Sequence, residues 1–438
     1  MKILAIETSC DDTSVAIVEV KVEGQPRFNV LSSIVSSQIL VHKKWGGVVP
    51  NLAKREHQKN LVPVLTRVLK ETKLLKKTKE KKSFSAEENN LLAKLFEREE
   101  ILLKNAEKFL KEYEKPEVDL VAVTIGPGLE PSLWVGVNFA KALASFWKIP
   151  VVAVNHLEAH VLANWLGKNQ TFPMAKPSRI SRWNRESSTS SGLDGIGTSI
   201  KNEIFPAICL IVSGGHTQLV LVQDFGKYKT IGETRDDAAG ECFDKAARIL
   251  GLGYPGGPAI AAEAAKFKIQ NSRLRQGHST LRVSDSMSSG GQAKFKIELP
   301  RPMIRHKNYD FSFSGLKTAV LYDFKERSAK VSKSRSYIRE MCKEVQQAII
   351  DVLTDKIIRA GREHRVRMVM LGGGVSANKE LRKQMEDRIK REMPSVLFSL
   401  PDLKYCTDNA AMVAVAAFHT PKEARQTKIE VDGNLRIG

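Results

Sequence analysis

Cysteine is scarce in this chain of 438 residues: Cys10, Cys209, Cys242, Cys342 and Cys406 lie far apart, with no C-x-x-C pair among them. An odd, scattered set argues against a disulfide framework or a zinc ribbon and predicts a protein of the reducing cytoplasm. Long apolar runs are missing too. The N-terminal MKILAIETSCDD turns acidic too soon for a signal segment, and no stretch reaches the length of a membrane span. A soluble protein with no membrane partner is expected. Neither a G-x-x-x-x-G-K-[ST] string nor a G-x-G-x-x-G string occurs, which counts against P-loop and Rossmann folds. Acidic residues fall short of basic ones, 49 against 69, leaving a formal charge of +20. Lys and Arg gain by displacing counterions from phosphate, so nucleic acid is the natural anionic partner to expect.

What is present has the rhythm of an α/β protein. Ile3 to Ile6 is a short apolar run, ETSCDDTS supplies turn residues, and VAIVEV resumes a β-branched run, the pattern of strand, turn and strand. The pattern returns at AICLIV, SGGHT and QLVLVQD, residues 207 to 224. Such an internal repeat predicts duplicated lobes, each opening with a hairpin whose tip can face a shared cleft. VDLVAVTIGPGLEPSLWVGVNFAKALA, IPVVAVNHLEAHVLANWL and RMVMLGGGVSANKELRKQME each place a strand before a helical pattern. The division expected is a first lobe over 1–150 and a second over 151–438, with the C-terminal helix a candidate to pack back on the first.

Three segments look like additions. Residues 71–117 begin with the charged KLLKKTKEKKS and continue with Leu91, Leu95, Leu102, Ala106 and Phe109 at roughly helical spacing. Residues 168–203 are rich in Ser and Arg and predict a mobile loop, and 267–299 are similar. Two readings fit all three: solvated insertions, or Arg- and Lys-bearing arms that touch RNA.

The NHLEAH stretch puts His156 and His160 one helical turn apart, on one face. Two metal ligands or two ordinary helix-surface histidines satisfy that spacing equally well. Asn155 can cap the helix, with Glu158 completing a capping-box-like pattern. Glu158 stands roughly 200° around the helix from His156, so the general base of an H-E-x-x-H metalloprotease is misplaced. YCTDNAAMVAVAAF has the form of a cap, an acid in the first turn and a buried helix of small residues. Asp408 there either complements the helix dipole or, if the lobes face each other, adds a third ligand and leaves positions open for a substrate. Glycine turns at SGGHT, GYPGGP and LGGGVSAN let backbone amides approach a ligand, and Asp244 lies on a helical stretch just before the second of them. Singly each is only a turn. Together they suggest a nucleotide or phosphate cradle.

The ordered motifs ETSCDDTS, GGVVPNLAKREH, GPGLEPSLWVG, NHLEAH, LIVSGGHTQLV, DDAAGECFDKAARILGLGYPGGP, DFSFSGLKT, GGGVSAN and CTDNAAM resemble the bacterial TsaD family of tRNA threonylcarbamoyladenosine transferases, formerly called glycoproteases. The resemblance covers most of the chain apart from the three additions. It implies a two-lobed fold of the actin, sugar-kinase and heat-shock-chaperone ATPase group. It implies one divalent metal ion per subunit, iron(II) ahead of zinc, held by His156, His160 and Asp408. Ile211, Val212, Ser213, Gly214, Gly215, Asp244, Gly257 and Asn378 match its positions for threonylcarbamoyl-AMP, and Asp11 is a candidate base, with Asp12 standing where many members carry Glu. Its implied partners are tRNA, a TsaB-like paralogue and a TsaE-like ATPase. The competing expectations are an ATPase or kinase of the same fold and, further off, a metalloprotease.

Overall fold

The computed structural model describes residues 1–23, 25–79, 83–167, 204–276, 297–420 and 429–438. The expected loop over 168–203 and most of the addition over 267–299 lie outside the described residues.

The first sheet is built from β1 (Lys2–Glu7), β2 (Asp12–Glu23), β3 (Gln25–Ser37), β4 (Leu120–Gly126) and β5 (Val151–Asn155), in the order β3-β2-β1-β4-β5. β1 pairs antiparallel with β2 and parallel with β4. The second sheet holds β6 (Ala207–Val212), β7 (Thr217–Asp224), β8 (Lys227–Glu233), β9 (Met368–Gly372) and β10 (Leu397–Ser399). From β8 across to β10 it repeats the first in order and in the sense of every pairing. The duplication suggested by two short sequence patterns therefore extends to whole lobes, the two-lobed, duplicated plan that the sequence resemblance implied.

The central strands of both sheets are buried on both faces, and strand alternation distributes the side chains. In β1, Ile3 and Ala5 enter a central core while Leu4 and Ile6 enter the core outside the first sheet. In β6, Ala207, Cys209 and Ile211 join the same central core while Ile208, Leu210 and Val212 enter the core outside the second sheet. A period of two explains the division, and each Ile or Leu so buried contributes roughly 1.5–3 kcal/mol.

The helices of the first lobe are α1 (Ile39–His42), α2 (Pro50–Glu71), α3 (Ala86–Leu95), α4 (Glu100–Glu112) and α5 (Glu130–Trp147), followed by α6 (His156–Leu162). Those of the second are α7 (Ala239–Ile249), α8 (Gly256–Gln276), α9 (Ser314–Glu326), α10 (Ala329–Ser332), α11 (Arg335–Glu363) and α12 (Lys379–Glu392), with α13 (Ala410–His419) last. α13 is apolar all round and buried from Ala410 to Ala417, because it fills the central core together with α6. Its small residues let it lie against β1 and β2 of the first sheet.

Two expectations need correction. The boundary does not fall at 150: β5 is the fifth strand of the first sheet, parallel to β4, and the second sheet begins only at β6. The chain also returns at its end, where Ile429 enters the outer core of the first lobe and Asp432 N–H donates to Ile125 O (3.0 Å). The 71–117 segment is no solvated insertion. Ser85 caps α3 through a complete capping box, and Leu92, Phe96, Leu102, Ala106 and Phe109 all enter the first lobe's outer core. In α3 the buried stripe falls one residue later than Leu91 and Leu95, which are only half-buried.

Candidate functional site

The carboxyl ends of β1, β4 and β5 from one sheet, and of β6 and β9 from the other, point to a common region, where α/β sheets place their ligands. α6 starts directly after β5. The Asn155 side chain accepts the N–H groups of Leu157 (2.8 Å) and Glu158 (3.3 Å), so the helix begins at His156 and carries His160 one turn later. The ring centroids of the two histidines are 4.6 Å apart.

Asp408 arrives from the far end of the chain. The cap of α13 is Asn409, which accepts Met412 N–H at 3.0 Å. Asp408 therefore precedes the helix instead of sitting in its first turn, and its carboxylate turns toward the histidines. Its Oδ1 is 3.1 Å from His160 Nε2 and 3.5 Å from His156 Nε2. The ligand-capable atoms of His156, His160 and Asp408 all lie within 4.8 Å of one another.

Behind His156 stands Glu7, a residue that sequence reasoning missed. It is fully buried, and its carboxylate accepts Ser9 N–H (2.6 Å), the Thr124 hydroxyl (2.6 Å) and His156 Nδ1–H (3.0 Å). A carboxylate can only accept, so the proton of the neutral ring resides on Nδ1 and Nε2 is left with its lone pair toward Asp408. The signal was present in KILAIE: the alternation that sends Ile3 and Ala5 to the central core sends Glu7 there too.

Electrostatics tie the cluster together. Burial disfavours a charged His156, but the carboxylates of Glu7 and Asp408 prevail and raise it to about 9. Burial would raise the Asp408 carboxyl, yet the His156 charge and the His160 hydrogen bond hold it well below the usual range. Burial lowers His160, and the charge of His156 adds to the effect. His216, the fourth residue of SGGHT and also unanticipated, is pushed down to about 4 by burial and by the charges of His156 and His160. The second lobe's glycine turn thus lies close to the first lobe's histidines.

The β1–β2 turn is rigidly held. His57 of α2 donates from Nε2 to Cys10 O (3.0 Å) and accepts the Thr13 hydroxyl at Nδ1 (2.8 Å). Burial drops this imidazole to about 4, keeping it neutral. Asp11 and Asp12 at the turn are both raised, first by burial and then by the Asp408 charge; Asp12 reaches about 7, despite a hydrogen bond from Ser37, and keeps a buried Oδ1 with no partner.

The expected cradle residues divide into two groups. Gly214 and Gly215 are exposed, and a Cβ on either would meet nothing within 4 Å, so their amides border open space. Ile211 and Val212 are buried strand residues leading into that turn, and Ser213 closes it by accepting His216 N–H (3.0 Å). Asp244 of α7 accepts Gly256 N–H (2.6 Å), next to Gly257 at the start of α8. It lies near enough to Tyr254 that its charge and that of Asp11 both raise the phenol, after burial. Asn378 spends its side chain within the fold, capping α12 through Glu380 N–H (3.0 Å) and donating to Gln346 Oε1 (3.0 Å). Glu158 does not close a capping box; it accepts the Tyr228 hydroxyl (2.9 Å).

A family model described as TsaD: tRNA N6-adenosine threonylcarbamoyltransferase matches residues 29–80, 97–177 and 192–415. A curated protein of that name from Syntrophomonas wolfei is 38% identical over 417 residues, covering 95% of this chain and 91% of its own. Another from Thermomicrobium roseum is 37% identical, covering 100% of this chain and 96% of its own. Among solved structures, a ROK hexokinase from Thermus thermophilus aligns with 11% identity and a TM-score of 0.40, over 98% of this chain and 100% of its own.

Proposed function

Since the chain belongs to the tRNA N6-adenosine threonylcarbamoyltransferase family, a transferase that modifies tRNA, we propose that it moves the threonylcarbamoyl group from threonylcarbamoyl-AMP. The acceptor is the exocyclic amine of the adenosine just 3′ of the anticodon, in tRNAs that read codons starting with A. The amine nitrogen bonds to the carbamoyl carbon, the bond from that carbon to the phosphate oxygen breaks, and AMP leaves with the electron pair. The observation that carries this reading is the meeting of His156, His160 and Asp408 between the two sets of strand ends.

The residues fit a divalent metal ion. Glu7 and Asp408 are carboxylates with no Lys or Arg ion-pair partner among the described residues, and His160 Nδ1 is buried without a hydrogen bond. Two imidazoles and a carboxylate suit iron(II) or zinc and leave positions open; iron(II) is the first choice. Bound there by His156, His160 and Asp408, the ion would act as a Lewis acid on the acyl-phosphate end of the donor.

The chain's own groups do the rest. The amides of Gly214 and Gly215 hold the adenylate phosphate on a turn closed by Ser213, whose own N–H donates to His216 O (2.8 Å), and Asp244 accepts hydrogen bonds from ligand hydroxyls, while Ile211, Val212, Gly257 and Asn378 shape the pocket. With AMP as a good leaving group, positioning supplies much of the acceleration. Asp11 and Asp12 at the hairpin tip are the candidate proton acceptors; Asp12, at about 7, is matched to neutral pH. A TsaB-like paralogue and a TsaE-like ATPase complete the system, in the cytoplasm. No helix among the described residues is long and apolar enough to cross a membrane.

The test is reconstitution with tRNA, threonine, bicarbonate, ATP and the partner proteins, followed by detection of the modified nucleoside, omitting one component at a time. His156→Ala should lose bound metal and transfer together while its circular dichroism stays that of the wild type. Full transfer after exhaustive metal removal would refute the metal's role. Phosphate release from ATP by the chain alone would favour the kinase or ATPase alternative.

A further inference from the structure

The segment joining β3 to α2, residues 38–49, borders the cleft but has no part in the transfer chemistry. Both of its ends are pinned. Gln38 N–H donates to the carbonyl of Asp11 (3.1 Å), and its side-chain oxygen is 3.0 Å from Nε2 of the buried His42. The other nitrogen of His42 accepts Val49 N–H (3.3 Å). Between these points Lys43–Trp45 form a 3-10 turn that ends at Gly46, whose φ of +68° is a glycine conformation. The Gly46 carbonyl accepts the guanidinium of Arg248, which belongs to α7 of the opposite lobe, one helical turn beyond Asp244.

On this braced turn Trp45 is 66% exposed, whereas Trp147 and Trp165 are 4% and 8% exposed. Lys43 and Lys44 beside it are exposed, and neither makes an ion pair among the described residues. A large flat side chain held in water, at the tip of a fixed turn and flanked by two uncommitted cations, is suited to one kind of ligand. Single-stranded nucleic acid offers an unstacked base for the ring and phosphates for the lysines. Double-stranded RNA keeps its bases stacked internally and hides them from such a ring.

We propose that Trp45 is a stacking platform for an unpaired base of the tRNA anticodon loop next to the adenosine being modified, with Lys43 and Lys44 on the adjoining phosphates. The inference rests on the reading that this chain modifies tRNA, and it adds the residue that grips the loop. Its position at the lobe junction, joined by Gln38 to the Asp11 turn and by Gly46 to α7, orients the loop toward the donor site. The exposed Leu40 (79%) on the same segment makes a protein contact the rival use.

The test measures binding of an unmodified anticodon stem-loop RNA to the full chain, as wild type, Trp45→Ala, Trp45→Phe and Lys43→Gln/Lys44→Gln. Since stacking on an aromatic ring is lost with Ala and largely kept with Phe, affinity should fall roughly 5- to 150-fold in Trp45→Ala and recover in Trp45→Phe. The double lysine variant should flatten the dependence of log affinity on log salt by about 1.4. Equal affinity of wild type and Trp45→Ala would overturn the platform and leave the transferase reading standing. A wild-type chain with no affinity for the RNA would overturn both. Unchanged RNA affinity with lost association to the paralogue would assign the turn to a protein contact and overturn the proposal.

Discussion

Replacing Glu7 by Gln changes one atom in a fully buried site and should weaken the binding of the metal ion proposed for His156, His160 and Asp408. The Gln oxygen must take the place of Oε1, since the other orientation points an NH2 group at Ser9 N–H (2.6 Å from Oε1). The NH2 group then faces the Thr124 hydroxyl and His156 Nδ1, where Oε2 accepted at 2.6 and 3.0 Å. The hydroxyl can rotate to accept, but Nδ1 can accept only by giving up its proton, and the neutral ring then carries it on Nε2, the nitrogen facing Asp408. A ligand atom becomes a donor. Loss of such an outer partner lowers metal affinity by about 10- to 100-fold, which is about 1.4 to 2.7 kcal/mol. Titration of the metal-free protein with zinc, and anaerobically with iron(II), against a chelator of known strength measures this directly. Glu7→Gln with wild-type metal affinity, beside a His156→Ala that binds none, would refute the argument that Glu7 sets the tautomer.

Phe109→Ala should destabilise the whole protein by about 3–5 kcal/mol, because Phe109 is 3% exposed in the outer core of the first lobe; a urea midpoint within error of wild type would return 71–117 to the status of a solvated insertion. Lys356 is fully buried, donating to Asn308 O (3.2 Å), and burial followed by the Arg359 charge lowers it from 10.5 to about 8. The unfolded chain holds this proton up to its ordinary value while the folded chain releases it near 8, so the Lys356 contribution to stability rises with pH across that window. Lys356→Met should remove the rise: wild type should gain on the variant in urea midpoint between about pH 7 and about pH 10, and a constant difference would refute the sign.

Much of the fold was legible because strand and helix periodicities are local. Ile3 to Ile6 and AICLIV announced the central strands, and their flanking turns announced the hairpins that the two sheets repeat. The errors also have local causes. Leu91 and Leu95 fit a helical stripe as well as Leu92 and Phe96 do, and only the packing of α3 against α5 chooses between them. Glu158 looked like half of a capping box because the pattern contains no information about Tyr228 on a strand 70 residues away. β5 looked like the opening of a new lobe, because its own residues do not say which sheet it joins.

By itself the sequence determined which side-chain types are available to the site, the spacing of His156 and His160 on one helical face, and the glycine turns, all of which depend on near neighbours along the chain. Only the tertiary structure decided that Asp408, 248 residues from His160, completes the cluster, that Glu7 orients His156, and that His216 and Asp244 come from the second lobe to meet the first. Each of these meetings depends on two sheets packing around α6 and α13, and burial then gives the charges gathered there their strength, since little water remains to screen them.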